Sequence, residues 1–178
     1  MNHFIMASAE KCIGCYTCEV ACAVIHAGTP ALAARSYFPR LNVIKNKHVS
    51  VPVMCRQCEN APCIAACPVA ALRKGEQMVE AINGRCIDCK SCVLACPFGA
   101  IEIVSRPEVD GQHQPAIIKC DLCVGQAGGP TCVNVCPTGA LSCMTPVDLN
   151  QQQQTKQRRV AHPISLTAPS LMEGVNHG

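Results

Sequence analysis

The chain has 178 residues, 49% of them hydrophobic, but 17 are Cys, only three are Phe and two Tyr, and there is no Trp. That length suits one domain or two small ones, and the shortage of aromatic volume excludes a conventional core, so metals or cross-links must carry part of the stability. The formal net charge of +3 is a mild pull toward anionic partners, and no apolar run approaches the roughly 18 residues that suggest a membrane span.

In chain order, Met1 to Ser8 carries no basic leader, long apolar stretch or small-residue cleavage site, and Phe4-Ile5-Met6 reads as a first short strand. Arg158-Arg159 lies near the C-terminus, where it cannot act as a twin-arginine export signal. The expected location is the cytoplasm, with export alongside a signal-bearing partner as the alternative. A reducing cytoplasm disfavours disulfides and favours metal ligation. The first cysteine group is Cys12, Cys15, Cys18 and Cys22. Residues 24–50 follow with few structure signals, and then a second strand at Val51-Pro52-Val53-Met54.

Group two is Cys55, Cys58, Cys63 and Cys67, with Pro62 inside its widened second gap. A strand at Met78-Val79-Glu80-Ala81-Ile82 leads into group three, Cys86, Cys89, Cys92 and Cys96, and Ile101-Glu102-Ile103-Val104 is a further strand. Ile117-Ile118 precedes group four, Cys120, Cys123, Cys132 and Cys136, whose eight-residue spacer holds Pro130. The units Cys67-Pro68-Val69-Ala70-Ala71-Leu72, Cys96-Pro97-Phe98-Gly99-Ala100-Ile101 and Cys136-Pro137-Thr138-Gly139-Ala140-Leu141 are near copies of one another.

Groups one and three match the C-x2-C-x2-C-x3-C run of bacterial ferredoxins, and groups two and four widen only its second gap. Three cysteines at i, i+3 and i+6 let a tight loop wrap one face of a cubane with backbone N–H groups turned to the sulfurs, and Gly14 suits such a loop. The fourth cysteine of this motif ligates the other cluster of a pair. The proline behind it fits the first position of a short helix, whose N-terminus would favour an anionic cluster. Structural zinc sites instead pair Cys-x2-4-Cys units across a longer spacer, and disulfides fit neither the odd count nor the crowding. The expectation is therefore four [4Fe–4S] clusters in an α+β fold of two ferredoxin-like (βαβ)2 two-cluster modules, tandem or nested, with short strands, short helices and long loops. Sixteen thiolates on four cores of charge +2 would turn the formal +3 into about −5, which removes the general support for nucleic-acid binding.

The four groups, the Cys58-Glu-Asn-Ala-Pro62-Cys63 insertion and Gly129-Pro130 before Cys132 resemble the four-cluster ferredoxin subunits of the DMSO reductase type. Met1-Asn2, Phe4-Ile5, Phe38-Pro39-Arg40-Leu41 and Cys55-Arg56-Gln57-Cys58-Glu59 narrow the resemblance to the compact electron-transfer proteins of formate hydrogenlyase and related formate dehydrogenase–hydrogenase systems. It spans residues 1–145, leaving 146–178 as a polar tail with a docking helix in prospect around Gln151 to Arg159. Group one departs from the motif in having Ala23 where a proline would follow Cys22. The gap from Cys67 to Cys86 is similar to that of two-cluster ferredoxins. With the family's nested arrangement, it implies an inner module of groups two and three inside an outer module of groups one and four. The implied ligand sets are Cys12, Cys15, Cys18 and Cys136; Cys120, Cys123, Cys132 and Cys22; Cys55, Cys58, Cys63 and Cys96; and Cys86, Cys89, Cys92 and Cys67. The alternative pairs group one with two and three with four.

Outside these groups the sequence offers little chemistry. Cys143 is left over and reads as a small buried thiol. The six His, at 3, 26, 48, 113, 162 and 177, lack ligand spacing, and Gly125 to Gly129 reads as a turn. Lys74, Arg85, Lys90, Arg106 and Lys119 lie close to cluster groups, as solvated charge or as groups that tune cluster potential. The resemblance implies a relay without catalysis of its own, between a molybdenum- or tungsten-containing formate dehydrogenase and a hydrogenase or further iron–sulfur subunit. The alternatives are an assembly or maturation factor for such an enzyme and a redox sensor.

Overall fold

A computed structural model describes residues 1–27, 37–107 and 113–161. Its elements, in order, are β1 (Phe4–Ala7), α1 (Thr17–Ala27), β2 (Leu41–Lys45), β3 (Ser50–Met54), α2 (Pro62–Ala65), β4 (Leu72–Lys74), β5 (Val79–Ala81), a 3-10 turn at Asn83–Arg85, α3 (Ser91–Ala95), β6 (Glu102–Pro107), β7 (His113–Ile118), α4 (Thr131–Asn134), β8 (Leu141–Met144) and α5 (Pro146–Ala161). The expected α+β class holds. Chain contacts divide it into Met1–Pro146 and Val147–Gly178. Much of the tail's described part is helical, and α5 buries none of its residues, as a stretch of Gln, Lys and Arg requires. None of the described helices is long and apolar enough to cross a membrane.

The strands form four antiparallel ribbons of two strands each, β1 with β8, β2 with β3, β4 with β5 and β6 with β7. The first and last strands thus meet, with Ile5 opposite Cys143 and Ala7 opposite Leu141. Helices α1 and α4 pack together, and so do α2 and α3. Two small cores result. One gathers Ile5, Leu41, Val43, Met54, Leu122 and Leu141 around five buried cysteines. The other gathers Leu72, Val79, Ile101 and Ile117 around Cys63 and Cys92. Burying each large aliphatic side chain stabilises by about 1.5–3 kcal/mol, and these cores hold few of them, so sulfur occupies volume that Phe or Trp would fill elsewhere.

The strands foreseen before each cysteine group are all present, and β2 and β4 add partners to them. Two elements run against expectation. Helix α1 extends five residues past Cys22, into the stretch with few structure signals. The prolines after the fourth cysteines start turns, not helices. The short helices α2, α3 and α4 lie ahead of Cys67, Cys96 and Cys136, each enclosing the third cysteine of its group. Proline has no N–H to extend the ladder, and three residues after each fourth cysteine the chain turns left-handed, at Ala70 (φ 51°), Gly99 (59°) and Gly139 (59°). The helix-starting proline is Pro62, inside the widened gap.

The second residue after the first cysteine of every group is also left-handed: Gly14 (φ 66°), Gln57 (51°), Asp88 (59°) and Leu122 (57°). Only Gly14 does this without a steric cost, and a Cβ there would also meet Ser50 Oγ at 2.8 Å. Gly14→Ala should therefore destabilise the loaded protein by about 1–3 kcal/mol, backbone strain plus displacement of Ser50. Gly139→Ala meets nothing within 4 Å and should cost only the backbone part, about 1–2 kcal/mol. Anaerobic urea unfolding of the two variants checks the ranking.

Candidate metal centre

None of the seventeen cysteines, all of them among the described residues, is joined in a disulfide. Cys18, Cys22, Cys55, Cys63, Cys92, Cys120, Cys123 and Cys132 are buried, Cys15 and Cys89 are exposed, and the rest are half-buried. Cys12, Cys15, Cys18 and Cys136 line one small cavity with Val43 and Leu141. Cys136 acts electrostatically on Cys15 and Cys18, Cys96 on Cys55 and Cys63, Cys67 on Cys92, and Cys22 on Cys120 and Cys132.

Burial dominates the electrostatics of these sulfurs. It pushes the Cys18 and Cys63 thiols up to about 11 and the Cys120 thiol up to about 12. Cys132 goes higher still, through burial and then the nearby Cys120, Cys22 and Cys123. Thiols crowded this closely repel one another as thiolates, and an iron core that supplies positive charge relieves both penalties. At the rim the balance reverses. A hydroxyl bond from Thr17, at 3.3 Å, lowers Cys15, and one from Ser91 lowers Cys89. The donor set fits thiolate ligation of iron–sulfur clusters.

Backbone N–H groups complete the sulfur environment. Each proline turn returns the amide four residues on to its cysteine: Ala71 N to Cys67 Sγ at 3.2 Å, Ala100 N to Cys96 Sγ at 3.5 Å and Ala140 N to Cys136 Sγ at 3.3 Å. Cys22 has no such turn, because α1 continues. Its amide comes instead from Arg40, at 3.3 Å. The continuing helix brings His26, one turn on, over the same sulfur. Its Nδ1 lies 2.8 Å from Cys22 O and 3.7 Å from Cys22 Sγ, and its Nε2 is 3.2 Å from Asp121 Oδ1. Asp121 also accepts the Cys123 N–H at 3.1 Å and pairs with the Arg40 guanidinium. Burial opposes a charged His26, but bonds to Asp121, Cys123 and Cys22 outweigh it and raise its pKa to about 11. Asp121 is driven below the usual carboxylate range, its own burial being outweighed by His26 and Arg40.

In the sequence His26 is one of six scattered histidines. The available signal was its spacing of four from a cysteine on a helix, with Asp121 directly after Cys120. Of the other histidines, His48 and His113 are exposed, and His162 and His177 lie outside the described residues. Among the five basic residues, Arg85 is exposed, and Lys74 and Lys90 are exposed in ion pairs with Glu59 (2.8 Å) and Asp88 (3.0 Å). Arg106 lies 5.4 Å over the Phe38 ring. The solvated-charge reading fails for Lys119, which is buried. Gly125 to Gly129 does form a turn, with Gln126 N bonded to Cys123 O and Gly129 N to Gln126 O. Cys143 is half-buried in β8.

Comparison with known proteins bears on what these sulfurs hold. A 4Fe-4S dicluster domain matches residues 85–140, and a 4Fe-4S binding domain matches residues 9–25. The electron transport protein HydN of Escherichia coli (strain K12) is 43% identical over 172 residues, covering 90% of this chain and 98% of that one. The chain belongs to this family of small iron–sulfur electron-transfer proteins of the formate hydrogenlyase type. YsaA of the same strain is 47% identical over 163 residues, covering 90% of this chain and all of that one. Formate hydrogenlyase subunit 2, again from that strain, is 35% identical over 184 residues, covering 88% and 89%. Like HydN by name, the chain is an electron-transport protein, and its cofactors are 4Fe-4S clusters.

Within this family frame, the Asp121 network is a local device for holding group one to group four. Because the Asp121 pKa is lowered on folding, its contribution is present above the ordinary carboxylate pKa of about 4 and is lost as pH falls below it. Asp121→Asn should cost about 1–3 kcal/mol at pH 7, reduced from a fully buried pair by the partial exposure of the carboxylate. Chemical unfolding of both proteins under anaerobic conditions at neutral pH gives the difference.

Proposed function

We propose that this chain is a relay with four [4Fe–4S] clusters in two nested pairs, passing electrons between a formate dehydrogenase-type enzyme and a hydrogenase or other redox subunit in the cytoplasm. The observation that carries the reading is the crossing of the fourth cysteines. Cys136 lines a cavity with Cys12, Cys15 and Cys18, and the charge of Cys22 bears on Cys120 and Cys132, that of Cys96 on Cys55 and Cys63, and that of Cys67 on Cys92. This supports the ligand sets Cys12, Cys15, Cys18 and Cys136; Cys120, Cys123, Cys132 and Cys22; Cys55, Cys58, Cys63 and Cys96; and Cys86, Cys89, Cys92 and Cys67. It disfavours pairing group one with two and three with four. Residues 1–145 are then the cluster domain and 146–178 an appended arm.

Each bound cluster would accept and release one electron; the chain's own residues set spacing, charge and access. Exposure is graded along the proposed sets. The first and last each contain one exposed sulfur, Cys15 or Cys89, and the set of Cys22, Cys120, Cys123 and Cys132 is wholly buried. Electrostatic coupling of Cys18 with Cys132, and of Cys55 with Cys120, supports a path running from the Cys15 edge through the Cys120 and Cys55 sets, which hold no exposed sulfur, to the Cys89 edge. Ile13 and Tyr16 are exposed at the first edge, and Ile87, Leu94 and Phe98 at the second, a character suited to protein partners. The name of formate hydrogenlyase subunit 2 supports the choice of partners.

Anaerobically purified protein should contain about 16 iron per chain, four for each cluster, and substantial zinc with little iron would end the reading. Cys22→Ser should perturb the cluster held by Cys120, with Cys143→Ser leaving iron content unchanged; loss of the Cys12 cluster alone in Cys22→Ser would overturn the nesting. A stable complex with mature formate dehydrogenase and rapid cluster turnover is expected. Binding confined to the immature enzyme would instead identify a maturation factor.

A further inference from the structure

Lys119 is 3% exposed and directly precedes Cys120. Its ammonium donates to Cys120 O at 2.8 Å and to Val79 O. Among the described residues no acidic side chain pairs with it. Two carbonyl dipoles do not compensate a buried unit charge, whose transfer from water costs several kcal/mol unless an anion lies near. The nearby negative groups are the sulfurs of two cysteine groups. The field of Lys119 acts on Cys55 and Cys63 of group two and on Cys120 of group four, against the burial that raises those thiols.

A second buried polar side chain holds the same junction. Gln57, 2% exposed, donates from Nε2 to Cys120 O at 2.7 Å and accepts the Val79 N–H on Oε1 at 3.0 Å. Asn2 in turn donates to Gln57 O at 2.8 Å. The ammonium and this amide therefore grip the same two residues, Cys120 and Val79. The charge is fixed between group two and group four and is not free to swing to solvent.

We infer that Lys119 is a buried counter-charge shared by the two central clusters, making both easier to reduce than their burial alone would allow. The inference rests on the four-cluster reading above. A cluster with four thiolates is already anionic, and reduction adds a further negative charge. Burial disfavours that added charge, so the two central positions would otherwise hold electrons less readily than the exposed ends. A fixed cation beside both stabilises the reduced forms, since net charge and hydrogen bonding near a cluster set its potential. Lys119 is thus a positioning residue for electron flow that contacts neither partner.

The test is an EPR-monitored redox titration of the full-length, anaerobically loaded protein and its Lys119→Met, Lys119→Gln and Lys119→Arg variants. Lys119→Met and Lys119→Gln should shift two of the four midpoints to more negative values and leave the other two in place, and Lys119→Arg should stay close to wild type. Unchanged midpoints, or equal shifts in all four, would overturn the inference. If Lys119→Met fails to retain iron, the midpoints of Lys119→Gln decide in its place. If both neutral variants fail to load while Lys119→Arg loads, the need for charge supports the inference, and loss of iron in Lys119→Arg as well overturns it. Wild-type iron content and signal number test the four-cluster reading separately, so its failure is distinguishable from failure of this inference.

Discussion

Eight cysteines are buried in a chain whose apolar cores are small, and the crowding of their sulfurs is the constraint that the remaining features answer. A thiolate buried beside other thiolates is disfavoured twice, by lost hydration and by repulsion. An iron core neutralises most of that charge while linking segments distant in sequence. Cluster binding is therefore coupled to folding, as for other small metal-dependent domains. The left-handed residues Gln57, Asp88 and Leu122 are consistent with this coupling, since each carries local strain of about 1–2 kcal/mol that surrounding structure must offset.

The ligand spacing makes the chemistry legible in the sequence, because cubane geometry dictates the short gaps between cysteines within each group. Short apolar runs such as those holding Ile5, Val79 and Ile117 announced their strands, since a stretch of a few apolar residues between turn-rich cluster loops is what a half-buried strand requires. The positions of the helices were not legible. The Cys-Pro units looked like helix starts because proline favours a first helical position. It was the left-handed residues at 70, 99 and 139 that turned these segments back on their own sulfurs, and Ala70 gives no sign of that conformation in isolation. Nor could periodicity reveal Lys119, where a charged residue next to a ligand looks the same whether solvated or buried. Its burial follows from the meeting of group two with group four, which is a tertiary fact.

Charge is distributed unevenly over these centres. The rim sulfurs Cys15 and Cys89 receive hydroxyl bonds from Thr17 and Ser91 and can be hydrated, so exposure itself offsets negative charge there. The central sulfurs have little water to do so, and fixed groups act in its stead: the Lys119 ammonium and Gln57 amide where groups two and four meet, and the His26–Asp121–Arg40 network where groups one and four meet. Asp121 in that network faces the His26 ring and the Arg40 guanidinium at once, so neither is left unpaired.

Cys22 makes the underlying logic visible because it lacks the proline that follows the other fourth cysteines. Had Cys22 been followed by a proline turn, the next residues would have supplied its amide locally, as at Cys67, Cys96 and Cys136. With Ala23 in that position the helix runs on to Ala27, and the amide of His26 is committed to the helix ladder. The sulfur must then find its donor from elsewhere, and Arg40 brings both an N–H for Cys22 and a guanidinium for Asp121 beside Cys120. One departure from the repeat thus converts a local contact into a long-range one. Arg40 thereby becomes part of the junction between the first and last cysteine groups, which β1 and β8 join from another direction.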